Sequence, residues 1–258
     1  MGLFTLIAGP CAVEDMDISV QIAKHCKQVA AEFNLDFIFK GSYKKANRTR
    51  LDSFTSIGED KALGILNSIR ESLQVKAITD VHETIDCEKA AKNVDYLQIP
   101  AFLCRQTELL IAAGKTGKGV NIKKGQFASP EAMEYAYKKV SSTGNTNILL
   151  TERGTTFGYN SLVVDMTGIP KMRKFCNHVI IDCTHSVQVP NQTSGITGGD
   201  ADMIETMALS GIAAGATGLF IEVHPEPGKS SSDAASILAM DKLHAIIKKA
   251  VSVKKALL

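Results

Sequence analysis

Short runs rich in apolar residues recur along the chain and predict eight strands: Phe4–Ala8, Phe37–Lys40, Ala77–Asp80, Tyr96–Pro100, Val120–Lys123, Asn147–Thr151, Val179–Asp182 and Leu219–Glu222. Most are near-continuous apolar stretches without clean alternation, the pattern of parallel strands covered on both faces. Helix-like stretches lie between them. Ile18–Phe33 carries apolar residues at helical spacing, and Glu59–Leu73 opens after Gly58. Arg105–Ala113 follows the fourth run, and Pro130–Val140 has Ser129 as N-cap and Pro130 at the first helical position. Ala201–Ala214 precedes the eighth run and Met240–Val253 closes the chain. Strand and helix alternating in this way imply a parallel sheet. Eight strands in 258 residues fit a closed α/β (β/α)8 TIM barrel. The expectation is one barrel domain over residues 1–258, with no linker or low-complexity segment. An open doubly wound sheet is the alternative, but no GxGxxG follows the first strand.

Composition narrows the class. Apolar residues make up 45%, enough for a sizeable core, and the net charge is only +2. No Lys/Arg block is interleaved with aromatics, so no nucleic-acid partner is expected, and Lys248, Lys249, Lys254 and Lys255 read as the solvated side of a last helix. No segment reaches the length of a membrane span, and the N-terminus lacks the basic region and cleavage pattern of a signal peptide. Leu6 stands where a myristoylation site needs Ser or Thr. The six cysteines are scattered with no CxxC pair, which predicts reduced thiols, small buried hydrophobes and a cytoplasmic protein.

Nearly every predicted strand ends in a residue able to do chemistry. The first leads to Cys11, the second to Lys40 and Lys45, the third to Asp80 and His82, and the fourth to Gln98 and Arg105. The fifth ends in Lys123-Lys124, the sixth in Glu152-Arg153, the seventh in Asp182 and His185, and the eighth in Glu222 and His224. Active sites of such barrels sit at the C-terminal ends of the strands. Converging cations at Lys40, Lys45, Arg105, Lys123 and Arg153 repel one another unless an anion neutralises them. Phosphate and carboxylate are the natural partners of clustered Arg and Lys, so a polyanion with two phosphates is expected. A second set, Cys11, His185, Glu222 and Asp233, offers a thiolate, an imidazole and two carboxylates from neighbouring strand ends. Such mixed ligation suits a borderline divalent ion (Zn, Fe, Mn or Co). The bland alternative is a buried cysteine, a hydrogen-bonded histidine and two surface acids.

Eight strings, in order and each at a predicted strand end, resemble the family of 3-deoxy-D-manno-octulosonate 8-phosphate synthases. They are IAGPCAVE from Ile7, FKGSYKKANR ending at Arg48, ITDVHE from Ile78, LQIPAFLCRQT from Leu97, NIKKGQF from Asn121, TERGTTFGYN from Thr151, DCTHSVQ from Asp182 and IEVHPEP from Ile221. The related heptulosonate 7-phosphate synthases typically read Lys-Pro-Arg-Thr-Ser where this chain has Lys45-Ala46-Asn47-Arg48-Thr49. The resemblance implies condensation of phosphoenolpyruvate with D-arabinose 5-phosphate, entry of water and loss of inorganic phosphate by C–O cleavage. It also implies a homotetramer and a place in lipopolysaccharide precursor synthesis. By motif, Lys40, Lys45, Gln98, Lys123 and Arg153 contact phosphoenolpyruvate. Asn47, Arg48 and Thr49 hold the sugar and its phosphate, with Arg48 supplied across a subunit interface. Cysteine at the position of Cys11 marks the family's metal-dependent group. The chain departs from the family in reading Arg-Thr-Arg at 48–50, and in following Gly198-Gly199 with Asp200-Ala201-Asp202, where many relatives carry an arginine.

The expected mechanism has three parts. The cation cluster fixes and preorganises phosphoenolpyruvate. A divalent ion orients the aldehyde or the attacking water. Asp233 or His185 relays a proton. Asp80 is expected as a catalytic or supporting carboxylate, His82 and His224 as neighbours of the reacting groups, and Phe102 as a wall of the pocket. Gly154 and Gly158 would allow a tight approach, and Cys104 packs. Three rival readings stand beside this one: the heptulosonate synthase, a non-catalytic anion- or metal-binding barrel, and a Schiff-base aldolase using Lys40 or Lys123.

Overall fold

The protein is described by a computed structural model covering residues 2–48, 50–157, 161–190, 198–232 and 234–258. Its barrel strands are, in order, Thr5–Gly9, Asp36–Lys40, Lys76–Asp80, Tyr96–Ile99, Gly119–Lys123, Ile148–Glu152, Val179–Asp182 and Gly218–His224. All eight are parallel to their neighbours, and the first pairs with the eighth, Thr5↔Gly218 through Gly9↔Glu222, which closes the barrel. Each coincides with a strand expected from the sequence. The two-residue strand Leu238–Ala239 adds to the eighth at Val223 and His224.

Helices α1 (Met16–Glu32), α2 (Glu59–Leu73), α3 (Thr84–Ala91), α4 (Thr107–Lys115), α5 (Met133–Ser141), α6 (Gly168–Met172), α7 (Ile204–Ala213) and α8 (Leu243–Ala256) alternate with the strands. Asp15 starts α1 by accepting from the Ile18 amide at 2.8 Å, and the buried face of that helix includes Ile22, Ala23, Cys26, Val29 and Ala30. Two helices have no counterpart in the sequence expectations. Helix α3 buries only Cys87 and Ala90 as apolar residues, and Asp86 organises its start by accepting from the amides of His82 and Glu83. Helix α6 reads Gly-Ile-Pro-Lys-Met, five residues whose proline is tolerated in a first turn. Helix α5 begins at Met133 instead of Pro130. Ser129 does cap, but it caps a turn, accepting from the Ala132 amide at 3.2 Å. Among the described residues, no helix is long and apolar enough to cross a membrane. All six cysteines are buried and none is in a disulfide.

The strand period of two explains where the chemistry falls. Ile7, Ile38, Ile78, Tyr96, Leu149, Ile180 and Phe220 form a core of their own inside the barrel, separate from the larger core between strands and helices. Alternate residues of a strand share a face. Two positions further toward each C-terminal end, the same inward face carries Gly9, Lys40, Asp80, Gln98, Thr151, Asp182 and Glu222, with Asn121 and Lys123 on the fifth strand. A polar layer therefore sits directly on an apolar one. Gly9 keeps this layer open at the first strand: a Cβ there would lie 1.9 Å from the Lys40 carbonyl oxygen.

Candidate active site at the barrel mouth

The polar layer is buried and internally bonded. Lys40 Nζ donates to Glu222 Oε1 at 2.7 Å, to the Cys11 carbonyl at 2.8 Å and to Ser42 Oγ at 2.9 Å. Ser42 Oγ donates to Asp80, whose other oxygen accepts from Gln98 Nε2 at 2.5 Å. Gln98 Oε1 accepts from Asn121 Nδ2 at 2.9 Å, and Thr151 Oγ1 donates to Asn121 Oδ1 at 2.6 Å. On the far side Lys123 pairs with Asp182, its Nζ 3.2 Å from the centroid of the Phe220 ring. His185 Nδ1 lies 2.8 Å from Asp182 Oδ2, and its Nε2 lies 3.7 Å from Glu222 Oε1. The network joins strands two to eight through side chains, and buried groups bonded in this way hold a single arrangement.

Charge, not burial alone, sets the ionisation. Burial would raise the Asp182 carboxyl, but His185 and Lys123 outweigh it and hold the acid well below the usual range. Glu222 is likewise brought down to about 2, because Lys40 and His185 overcome its burial. Lys40 is penalised by burial, yet Glu222 and Asp80 keep its ammonium above an ordinary lysine's value. A Schiff-base nucleophile needs the neutral amine, so Lys40 is poorly suited to that role. Lys123 moves the other way, since its desolvation exceeds what Asp182 returns. Its contact with the Asp182 carboxylate is nonetheless that of an ion pair.

Asp80 is also held below its ordinary 3.8, with Lys40 and Lys45 overcoming its burial. A depressed acid stabilises the fold fully above its unfolded value and loses that contribution as pH falls through the folded one. Asp80→Asn should therefore cost about 3 kcal/mol at neutral pH, the scale of a broken buried pair. The gap to wild type should shrink below pH 3.8. Urea midpoints at pH 7 and pH 3 (about, bracketing that value) measure this, and a gap independent of pH would contradict it.

The remaining candidates sort by position. Cys11 is fully buried beside the first strand, and its Sγ accepts from Lys45 Nζ at 2.8 Å. Arg153 is buried and donates to Gln188 Oε1 at 3.0 Å. Lys40 bridges the Cys11 carbonyl and Glu222, His185 Nε2 lies 3.7 Å from Glu222, and Glu222 Oε2 is buried without a hydrogen-bond partner. Among the described residues, no three His, Cys, Asp or Glu side chains are gathered closely enough to hold an ion as they stand. Asp233, Thr49 and Gly158 lie outside the described residues.

The loop after the second strand leaves Asn47 exposed, while Arg48 Nη1 donates to the Leu51 and Ser53 carbonyls at 2.7 and 3.1 Å. Arg105 is exposed, so the structure does not bring it into the buried layer, and Phe102 on the neighbouring 3-10 turn is 57% exposed. His82 Nδ1 and His224 Nε2 are buried near Asp86 and Glu14, at 4.0 and 3.7 Å. Cys104 is buried, as packing requires. An open groove on the outer shell, between α2 and α3 and lined by Asp60, Leu63, Ile85 and Lys89, lies apart from this layer.

Sequence reasoning gave no role to Ser42, Asn121 or Thr151 and named Asp182 only as a strand end; these four complete the layer. The signal was available: Ile38-x-Lys40, Ile78-x-Asp80, Tyr96-x-Gln98, Ile180-x-Asp182 and Phe220-x-Glu222 all change from apolar to polar at a spacing of two.

Known proteins resemble the chain over nearly its whole length. The model of the DAHP synthetase I family matches residues 2–258. The chain is 45% identical over 251 residues to 2-dehydro-3-deoxyphosphooctonate aldolase of Desulfotalea psychrophila, covering 97% of this chain and 90% of the relative. The relatives of that name from Fusobacterium nucleatum and Rickettsia bellii are 45% and 46% identical over 252 and 246 residues. Those matches cover 98% and 95% of this chain, and 91% and 90% of the relatives.

Proposed function

The chain belongs to the DAHP synthetase I family, and from that premise we propose that it condenses phosphoenolpyruvate with D-arabinose 5-phosphate and water. The products are 3-deoxy-D-manno-octulosonate 8-phosphate and inorganic phosphate, and the reaction serves lipopolysaccharide precursor synthesis. The observation that carries the reading is the buried ionic layer at the barrel mouth, in which Lys40 pairs with Glu222, Lys123 pairs with Asp182 and Arg153 acts on the same Asp182. Nearly full-length likeness to relatives named 2-dehydro-3-deoxyphosphooctonate aldolase supports the choice of reaction.

Lys40, Lys45, Lys123 and Arg153 bind the phosphate and carboxylate of phosphoenolpyruvate, with Gln98 completing the pocket. These groups are already fixed by Glu222, Cys11, Asp182 and Gln188, so little reorganisation is needed when substrate arrives. The methylene carbon of phosphoenolpyruvate attacks the aldehyde carbon. Water adds to the cationic carbon left behind, and the C–O bond to the phosphate then breaks. Asp182 fixes His185 through Nδ1 and leaves Nε2 facing Glu222, so Nε2 is the nitrogen left either to hold a proton or to serve as a ligand. Asn47, Arg48 and Thr49 take the sugar and its phosphate, with Arg48 reaching a neighbouring copy in a homotetramer. The protein works in the cytoplasm.

A divalent ion fits the donor set. Glu222 Oε2 is an unpartnered buried carboxylate oxygen, Cys11 offers sulfur and His185 offers nitrogen. Cys11, His185, Glu222 and Asp233 would hold it. Bound there, it would polarise the sugar carbonyl or lower the pKa of water.

The bridging oxygen of phosphoenolpyruvate tests the bond that breaks. With that oxygen isotopically labelled, the label should leave in inorganic phosphate. Label retained in the sugar acid would contradict C–O cleavage.

A further inference from the structure

Lys124 and Glu152 stand next to the substrate-binding candidates Lys123 and Arg153 but face the other way. On a strand, adjacent side chains take opposite faces. Lys123 reaches Asp182 and the Phe220 ring and Arg153 reaches Gln188, whereas Lys124 and Glu152 lie under the loops that follow the fifth and sixth strands. An outward lysine and glutamate would ordinarily be solvated. These are 1% and 2% exposed and pair at 3.3 Å, Lys124 Nζ to Glu152 Oε1. The proposed function as it stands does not use them.

Their bonds converge on the residue after Arg153. Glu152 Oε1 accepts from the Gly154 amide at 2.7 Å, and Lys124 Nζ donates to the Gly154 carbonyl at 3.2 Å. Gly154 has φ +91°, a left-handed conformation that allows the chain to fold back over the pair. The same ammonium donates to the Ala128 carbonyl at 3.2 Å and to Thr155 Oγ1 at 3.1 Å, and so ties the loop after strand five to the one after strand six. The Lys124 amide also donates to the Thr151 carbonyl at 2.8 Å. Arg153 is thus pinned from both sides. The strand pairing Glu152↔Ile181 fixes the residue before it, and the ion pair fixes both backbone groups of the residue after it. We propose that Lys124 and Glu152 are positioning residues that aim Arg153 at the anion in the mouth.

The proposal rests on the assignment of Arg153 to phosphoenolpyruvate, and its test separates the two. Wild type, Lys124→Met, Glu152→Gln, Arg153→Ala and the double variant K124M/R153A are titrated calorimetrically with phosphoenolpyruvate and, separately, with inorganic phosphate. Lys124→Met keeps the stem and removes the donors. Displacement of a binding group by about 1 Å can lower turnover roughly 100-fold. Affinity for the anion should accordingly fall about 10- to 100-fold in Lys124→Met, approaching the loss in Arg153→Ala. The double variant should lose little beyond Arg153→Ala alone, because residues acting through one another are not additive. The KM for the sugar phosphate should stay unchanged. A purely architectural pair would lower the thermal midpoint, leave anion affinity intact and give additive losses, and that result would overturn the proposal. Where Lys124→Met does not fold, the cycle is run with Glu152→Gln, which keeps an acceptor for the Gly154 amide and removes the charge. Wild type that binds inorganic phosphate but not phosphoenolpyruvate would refute the substrate assignment, and the cycle with phosphate would still decide the positioning role.

Discussion

Replacing Lys123 by Met should lower kcat/KM for phosphoenolpyruvate by about 10²- to 10³-fold, the scale on which one preorganised charge-stabilising donor acts. Lys123 is buried, pairs with Asp182 and lies over Phe220, so it is held without any substrate present. The substitution also strands Asp182, a fully buried carboxylate whose low pKa depends partly on this ammonium. Breaking one side of a buried pair costs about 3–5 kcal/mol, so the thermal midpoint should fall as well. The double variant K123M/D182N separates the two effects. It removes the stranded charge and should recover most of the stability, while affinity for phosphoenolpyruvate, read by calorimetry, stays low because the anion donor is still missing. Recovery of that affinity together with stability would mean that Lys123 serves only the fold.

Cys11→Ala should abolish metal-dependent turnover and leave the barrel intact. The thiol is fully buried but small, and the substitution removes one sulfur atom that accepts from Lys45. The functional loss is larger. Removing a partner that only supports a metal ligand typically costs 10- to 100-fold, so removing a ligand should cost more than about 100-fold. Elemental analysis should find the bound ion in wild type and its loss in the variant, with unchanged circular dichroism. Full activity of Cys11→Ala in excess chelator would remove the metal from the account.

Much of this was legible in the sequence. The eight strands are dense apolar runs because parallel barrel strands are buried on both faces, and that density also hid their period of two. Only at the C-terminal ends does the inward side chain turn polar, so the charged ends announced themselves while the uncharged Asn121 and Thr151 of the same layer did not. Asp182 was visible as a strand end, but its bridging of Lys123 and His185 depends on pairing between distant strands. Helices α3 and α6 escaped because eight and five residues give too little periodicity. Lys124 and Glu152 stood out only as charges at strand ends, since nothing local reveals that loops from elsewhere cover them.

The most direct test is phosphate release from phosphoenolpyruvate with arabinose 5-phosphate or erythrose 4-phosphate, each before and after chelation. The account predicts turnover with arabinose 5-phosphate, little with erythrose 4-phosphate, loss on chelation and recovery on adding a divalent ion. Turnover preferring erythrose 4-phosphate, or none with either sugar, would contradict it.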